Sequence, residues 1–357
     1  MPPVRTILVD ARWIGIGGPG RVAENLLRGL GALEPDGQWV IWGPDQVDEL
    51  LWPGARREPS RHHPKAWYSQ REIPGPRHVG ADVAFYAHHL RPAWHLAPVE
   101  VTTIHDTIPF RYPPSAALAP LMRQYIRRMA SLSTVVVTDS EFSKRSLMND
   151  LALSADRIML LDLPIDHESA DRVRALRAIT EPARRVVFIG RDAPHKNLNR
   201  LIEGFGRSRF SADGGELSLI GLDGPAVERV TALARSHRVV LDLPGVVSQD
   251  ELERRLASSA LVIQPSLEEG FGLPAAEAAA AGIPVAVSTG GSLPEIMRGA
   301  VDPFDPLDIA GIAIAIDRTA AMATGPDLTW ATPEDLARSA VAAIDLAVSL
   351  GPRRRRR

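Results

Sequence analysis

Short apolar runs of strand length recur along the chain, each followed by a loop marked by glycine or proline and then by a stretch with helical period. Such runs lie at 6–9, 40–42, 82–86, 99–104 and 135–138 in the first half, and at 186–189, 217–220, 239–243, 260–263 and 284–287 in the second. Helices are predicted over 22–33, from a cap at Ser140 or Glu141, over 198–206, over 275–281, from the segment 305–309 and over 333–350. Apolar strands alternating with helices predict parallel sheets covered on both faces, hence an α/β chain.

The pattern is sharpest over 260–282. An apolar run is followed by Glu269-Gly270-Phe271-Gly272-Leu273, and Pro274 then stands where proline is tolerated at a helix start. The alanine-rich stretch beyond it ends at Gly282, a natural helix stop. The loop therefore sits at a helix N-terminus, where unpaired N–H groups and the helix dipole favour an anion such as phosphate. Gly270 and Gly272 let a ligand approach the backbone closely. Glu269 and Glu277 do not suit an anion; they fit hydrogen bonds from the hydroxyls of a sugar or ribose beside the phosphates.

These residues, two glutamates separated by seven positions around Gly-Phe-Gly-Leu-Pro, resemble the signature of the retaining glycosyltransferases of family 4. The resemblance implies the GT-B fold, two Rossmann-like parallel-sheet domains facing each other across a cleft with a nucleotide-sugar between them. The expected boundaries are 1–165 for an acceptor-binding domain, 166–335 for a nucleotide-sugar domain, and 336–357 for a helix packing back across the cleft plus a basic tail.

Further motifs follow in the family's order. The run at 6–9 leads into Gly15-Ile16-Gly17-Gly18-Pro19-Gly20, the strand-loop-helix opening of a Rossmann-like domain. The resemblance implies that Gly17, Gly18 and Gly20 lie against donor phosphates and acceptor. His105-Asp106 ends the run at 99–104 and resembles the family's His-Asp motif, at the carboxyl end of a strand, where open α/β sheets bind ligands. His105 is expected to contact the donor sugar near the reacting carbon, and Asp106 to support the loop. Gly190-Arg191 followed by Lys196-Asn197 resembles the pair of cations that grips the donor diphosphate; fixed cations stabilise the charge left on a departing diphosphate. Backbone groups near Val246 are similarly expected at the base, and those of Gly270, Phe271, Gly272 and Leu273 at the donor. The Ser-Glu-Phe-Ser run at 140–143 and Glu295 are read as architecture.

Composition bounds the alternatives. The chain's 357 residues fit two domains of ordinary size. With no cysteine, disulfides, thiolate metal sites and a cysteine nucleophile are excluded. A net charge of -2 gives no global reason to expect nucleic acid. No apolar run reaches the length of a membrane span, so a cytoplasmic protein is expected, with peripheral contact at the inner face of the membrane left open. Seven of the ten histidines fall between His62 and His105 without the spacing of a zinc site, so no metal is expected. Arg61, His62, His63, Lys65, Trp67 and Tyr68 suit either a polar, aromatic acceptor cleft or a solvated loop. Lysine occurs only at Lys65, Lys144 and Lys196, which marks Lys196 as a position where an ammonium is preferred. The run Arg353 to Arg357 reads as a solvated tail.

The function expected from the resemblance is retaining, metal-independent transfer of a sugar from a nucleotide-diphosphate donor to an acceptor hydroxyl. The donor is a co-substrate, there is no resident cofactor, and the acceptor is a glycan, a lipid-linked group or a small molecule. His105, Arg191, Lys196 and Glu269 would carry the chemistry and Glu277 the ribose. Two alternatives stand beside it: a GT-B sugar-nucleotide epimerase and a non-catalytic nucleotide-sugar-binding subunit.

Overall fold

The computed structural model describes residues 5–60, 80–92, 94–113 and 115–352. Arg61, His62, His63, Lys65, Trp67, Tyr68 and the tail from Arg353 to Arg357 lie outside the described residues. The chain divides into two compact units, one of residues 1–164 with 331–357 and one of residues 165–330.

The first unit is built on a parallel seven-stranded sheet. Its strands are β1 (Thr6–Asp10), β2 (Gln38–Gly43), β3 (Ala55–Pro59), β4 (Val83–Tyr86), β5 (Val99–Thr103), β6 (Val135–Thr138) and β7 (Ile158–Leu160), in the order β3-β2-β1-β4-β5-β6-β7. Strands β4, β5 and β6 are buried along their whole length, as expected of strands with helices on both faces. Two strands escape the hydrophobic pattern. β3 falls within the proline- and arginine-rich segment and is a half-exposed edge strand, so nothing forces an apolar run there. β7 has only three residues at the other edge.

Glu100 is the second residue of β5 and is fully buried. It is tolerated because it is paired and saturated: Arg91 donates at 2.9 Å, the Tyr86 hydroxyl at 2.9 Å and the Leu96 N–H at 2.9 Å. Burial, with Glu100 adding to it, pushes the Tyr86 hydroxyl well above its usual pKa. A second buried pair, Arg12 on Asp10 at 2.8 and 2.7 Å, closes the end of β1, with the guanidinium 3.7 Å over the Trp42 ring. The last helix, Pro333–Leu350, belongs to this unit and packs against the helix Gly17–Leu33. Thr332 and Asp335 form a reciprocal capping box at its start.

The second unit holds a parallel five-stranded sheet of β8 (Arg185–Ile189), β9 (Glu216–Ile220), β10 (Val240–Gly245), β11 (Leu261–Gln264) and β12 (Val285–Val287), in the order β10-β9-β8-β11-β12. Strand order reverses between β8 and β11, the kind of switch point at whose carboxyl ends open α/β sheets bind ligands. The first unit has the same reversal between β1 and β4. Both units are thus Rossmann-like parallel-sheet domains, and the expected α/β fold is borne out. The helix expected over 275–281 is observed as Leu273–Ala280, and that over 198–206 as Leu198–Arg207.

Candidate functional site

In the second unit, the loops after β8 and β11 meet at the strand reversal. The Leu267 N–H donates to the His195 carbonyl at 2.7 Å, and the Asn197 side-chain amide reaches the Pro265 carbonyl at 3.0 Å and the Pro306 carbonyl at 2.7 Å. Asn197 is buried and left-handed, at a φ of 60°, a conformation Asn adopts more readily than most residues. It therefore ties the loops together, which leaves its neighbour Lys196 projecting from a fixed backbone. Lys196 Nζ donates to both oxygens of Glu269, at 2.7 and 2.9 Å. The two side chains are only 16% and 8% exposed, so solvent screens the pair weakly. Burial, then the Lys196 ammonium, holds His195 below its usual pKa.

A third loop holds Glu269 from behind. The Ser292 hydroxyl donates to the Glu269 carbonyl at 3.1 Å and to the Phe271 carbonyl at 3.0 Å. At Gly291, φ is 70° and an added Cβ would lie 2.3 Å from the Glu269 carbonyl oxygen, so only glycine fits. The glycines after β12 thus serve to seat the Glu269 loop. Gly272 caps the helix Leu273–Ala280 in a left-handed conformation, Pro274 lies in the first turn, and Glu277 projects half-buried from the same helix. Arg191 is exposed at the start of the loop after β8 and has no acidic partner among the described residues. Gly190 is half-buried just beyond β8, and Val246 stands 80% exposed just beyond β10. The structure thus brings together Lys196, Glu269 and the loop from Gly270 to Leu273.

In the first unit, the helix predicted over 22–33 begins earlier, at Gly17, so Gly17, Gly18 and Gly20 form its first turn instead of a free loop. Pro19 within that turn lacks only an N–H that a helix start leaves unpaired anyway. The three glycines differ. Gly17 and Gly18 face open space, whereas a Cβ at Gly20 would lie 2.4 Å from the Trp13 carbonyl oxygen, which makes Gly20 a packing residue. His105 follows β5, and its Nδ1 lies 2.7 Å from Oδ2 of Asp139, a buried residue at the end of the neighbouring strand β6. Asp106 accepts the Ile108 N–H at 2.9 Å, a loop-supporting bond. Sequence reasoning missed Asp139. Its signal was an ionisable residue at the carboxyl end of the strand beside the one carrying His105.

Among the described residues there is no group of three or more His, Asp or Glu placed to hold a metal ion. No described helix is long and apolar enough to cross a membrane.

Two Rossmann-like units, the second with a basic-acidic pair at its strand reversal, define the class as a doubly wound α/β protein. Comparison with known proteins narrows the class. Residues 170–318 match the family described as glycosyl transferases group 1, which is most of the second unit. The resemblance to group 1 glycosyltransferases is therefore borne out there. The chain is 29% identical over 191 residues to an MMP alpha-(1->4)-mannosyltransferase of Mycolicibacterium hassiacum, a match covering 50% of this chain and 44% of that one. Matches to other curated relatives cover between 28% and 60% of their length, 53% for a glycogen synthase of Mycobacterium tuberculosis. Among solved structures, a sucrose-phosphate synthase from Thermosynechococcus elongatus superposes with a TM-score of 0.69 at 17% identity, covering 97% of this chain and 94% of that one. The Anabaena protein HepE, solved in complex with UDP and glucose, superposes with a TM-score of 0.64 at 13% identity over 97% of each chain. These superpositions extend over both units and bear out the GT-B fold.

Proposed function

We propose that the protein is a retaining glycosyltransferase that moves a sugar from a nucleotide-diphosphate donor to an acceptor hydroxyl. The observation that carries this reading is the Lys196–Glu269 pair at the strand reversal of the second sheet, beside a glycine-lined helix N-terminus. A cation, a carboxylate and backbone N–H groups converge where a diphosphate, sugar hydroxyls and a ribose need them. The mannosyltransferase relative and the UDP-bound structural neighbour support the same reading.

In this reading Lys196 and Arg191 hold the diphosphate, the backbone from Gly270 to Leu273 adds N–H donors, Glu269 accepts from hydroxyls of the donor sugar and Glu277 from those of the ribose. Gly190 and Val246 line the nucleotide, and Gly17 and Gly18 border the phosphates and acceptor. The bond from the anomeric carbon to the diphosphate oxygen breaks as the acceptor oxygen bonds to the same face of that carbon. The acceptor proton passes to the departing diphosphate oxygen, so atoms balance without a protein nucleophile. Fixed cations stabilise the charge that develops on the leaving group, the role that a divalent ion plays elsewhere. No resident cofactor enters.

The test is donor turnover in excess EDTA with a panel of nucleotide-sugars and glycan, lipid-linked and small-molecule acceptors, read by NMR. Release of nucleoside diphosphate together with a glycoside of the donor's anomeric configuration is expected. Isomerised donor in the absence of acceptor, an inverted product, or strict dependence on added manganese would each contradict the reading.

A further inference from the structure

The carboxyl ends of β1, β4, β5 and β6 gather Trp13, His88, His89, His105 and Asp139. The His88 ring lies tilted against Trp13 with ring centres 4.0 Å apart, stacks on His89 at 4.1 Å, and lies 5.7 Å from His105. Its Nδ1 accepts the Leu90 N–H at 3.0 Å. His105 is held at its backbone by the Thr138 hydroxyl, which donates to its carbonyl at 3.1 Å, and at its ring by Asp139. Against a carboxylate acceptor, Nδ1 must carry the proton. The opposite nitrogen, Nε2, is buried with no hydrogen-bond partner, as is Oδ1 of Asp139.

Resting on the glycosyl-transfer reading, we propose that Asp139 is a positioning residue for His105: its carboxylate fixes the Nδ1 proton and the ring plane, so that Nε2 is the atom presented to an oxygen of the donor sugar. Each element around the ring contributes to this. Asp139 comes from the end of β6, Asp106 from the loop after β5, and His88, His89 and the Ala87 carbonyl from the loop after β4. Burial alone lowers the pKa of His105, but Asp139, then Asp106 and the Ala87 carbonyl, outweigh it and raise the value above the usual one. His89 is driven the other way, to about 3, by burial and by the charge on His105.

These contacts favour the protonated form of His105, in which Nε2 bears a proton to donate. That assigns His105 a chemistry the motif alone leaves open. In that form the ring is not a general base toward the acceptor; it is a hydrogen-bond donor. Its charge is balanced by Asp139, so positive charge developing at the anomeric carbon does not meet a lone cation.

The experiment compares wild type with Asp139→Asn by histidine-selective NMR titration, thermal unfolding and kinetics. The amide keeps the shape and an acceptor oxygen but removes the charge. His105 is expected to titrate at lower pH in the variant, and kcat is expected to fall by about a hundredfold with KM little changed, the size of effect that misplacing a reacting group produces. In wild type, kcat is lost as pH rises through the raised His105 value, and in the variant this limb moves to lower pH. Asp139→Glu, which restores the carboxylate, should recover part of the turnover and of the titration shift. An unchanged His105 titration overturns the proposal, whatever happens to turnover, and so does an unchanged pH limb. Absence of sugar transfer by wild type would count against the functional reading alone, since the titration decides the Asp139–His105 link without it.

Discussion

The Lys196–Glu269 pair makes a prediction that neither residue makes alone. In the free protein the ammonium spends two hydrogen bonds, of 2.7 and 2.9 Å, on a carboxylate that is itself almost wholly buried. A diphosphate that recruits Lys196 must compete with Glu269 for it. Glu269→Ala removes the competitor and leaves a largely buried ammonium without its partner. Breaking such a pair costs about 3 kcal/mol, the lower end of the range for buried pairs, because Lys196 keeps some solvent contact. For a unit of this size that lowers the melting temperature by roughly 6 to 12 °C. The same vacancy favours an anion. Nucleoside diphosphate should bind the variant more tightly than wild type, by about tenfold or more, since a hydrogen bond to a charged group contributes about 1.5 to 3 kcal/mol. Sugar transfer should nevertheless collapse, because the hydroxyl contacts of the donor are gone. Thermal unfolding with and without nucleoside diphosphate, together with titration calorimetry, measures all three. A variant that melts like wild type, or that binds nucleoside diphosphate tenfold more weakly, would refute the argument that Glu269 and the diphosphate share Lys196.

Four other substitutions probe separate parts of the molecule. Glu277→Ala should weaken nucleoside diphosphate binding by about 1.5 to 3 kcal/mol through lost ribose hydrogen bonds, the opposite sign to Glu269→Ala; calorimetry on both variants decides it. Gly291→Ala forces a Cβ into the Glu269 backbone and should cost both stability and transfer, whereas Gly18→Ala meets nothing within 4 Å and should fold normally, as thermal melts will show. The acid limb of stability should trace partly to Glu253, whose pKa Arg172, then Ser169 and Gln249, hold at about 2 against an ordinary 4.5 despite burial. A depressed carboxylate contributes stability above its unfolded value and loses it as pH falls toward its folded value. Glu253→Gln should therefore be less stable at neutral pH and lose less between pH 4.5 and about 2 than wild type does; identical acid profiles would contradict this.

Much of the second unit was legible because its signals are local. A glycine with positive φ, a proline in a first helical turn and an apolar run of strand length each carry their conformation in a few residues, as the segment from Leu261 to Gly282 shows. What sequence could not give was made by contacts between distant segments. Asp139 reads as a residue between a strand and a capped helix until β6 is placed beside β5 and its carboxylate meets His105. Asn197 reads as a diphosphate neighbour until its amide is seen bridging Pro265 and Pro306, from two other loops. Glu100 looks like an exposed position in an alternating strand, and only the pairing of β5 with β4 and β6 explains its burial against Arg91. The edge strand β3 was hidden for the opposite reason: little packs on it, so its sequence carries no hydrophobic imprint.

The central claim is that a nucleotide diphosphate is held by the cations at the strand reversal of the second unit. Titration calorimetry of UDP, GDP, ADP and dTDP against wild type, Lys196→Ala and Arg191→Ala tests it most directly. One of the four nucleotides should bind wild type well, and each substitution should weaken it by about tenfold or more, the loss expected from a charge-assisted contact to phosphate. Binding of none of the four, or binding that neither substitution weakens, would contradict the account.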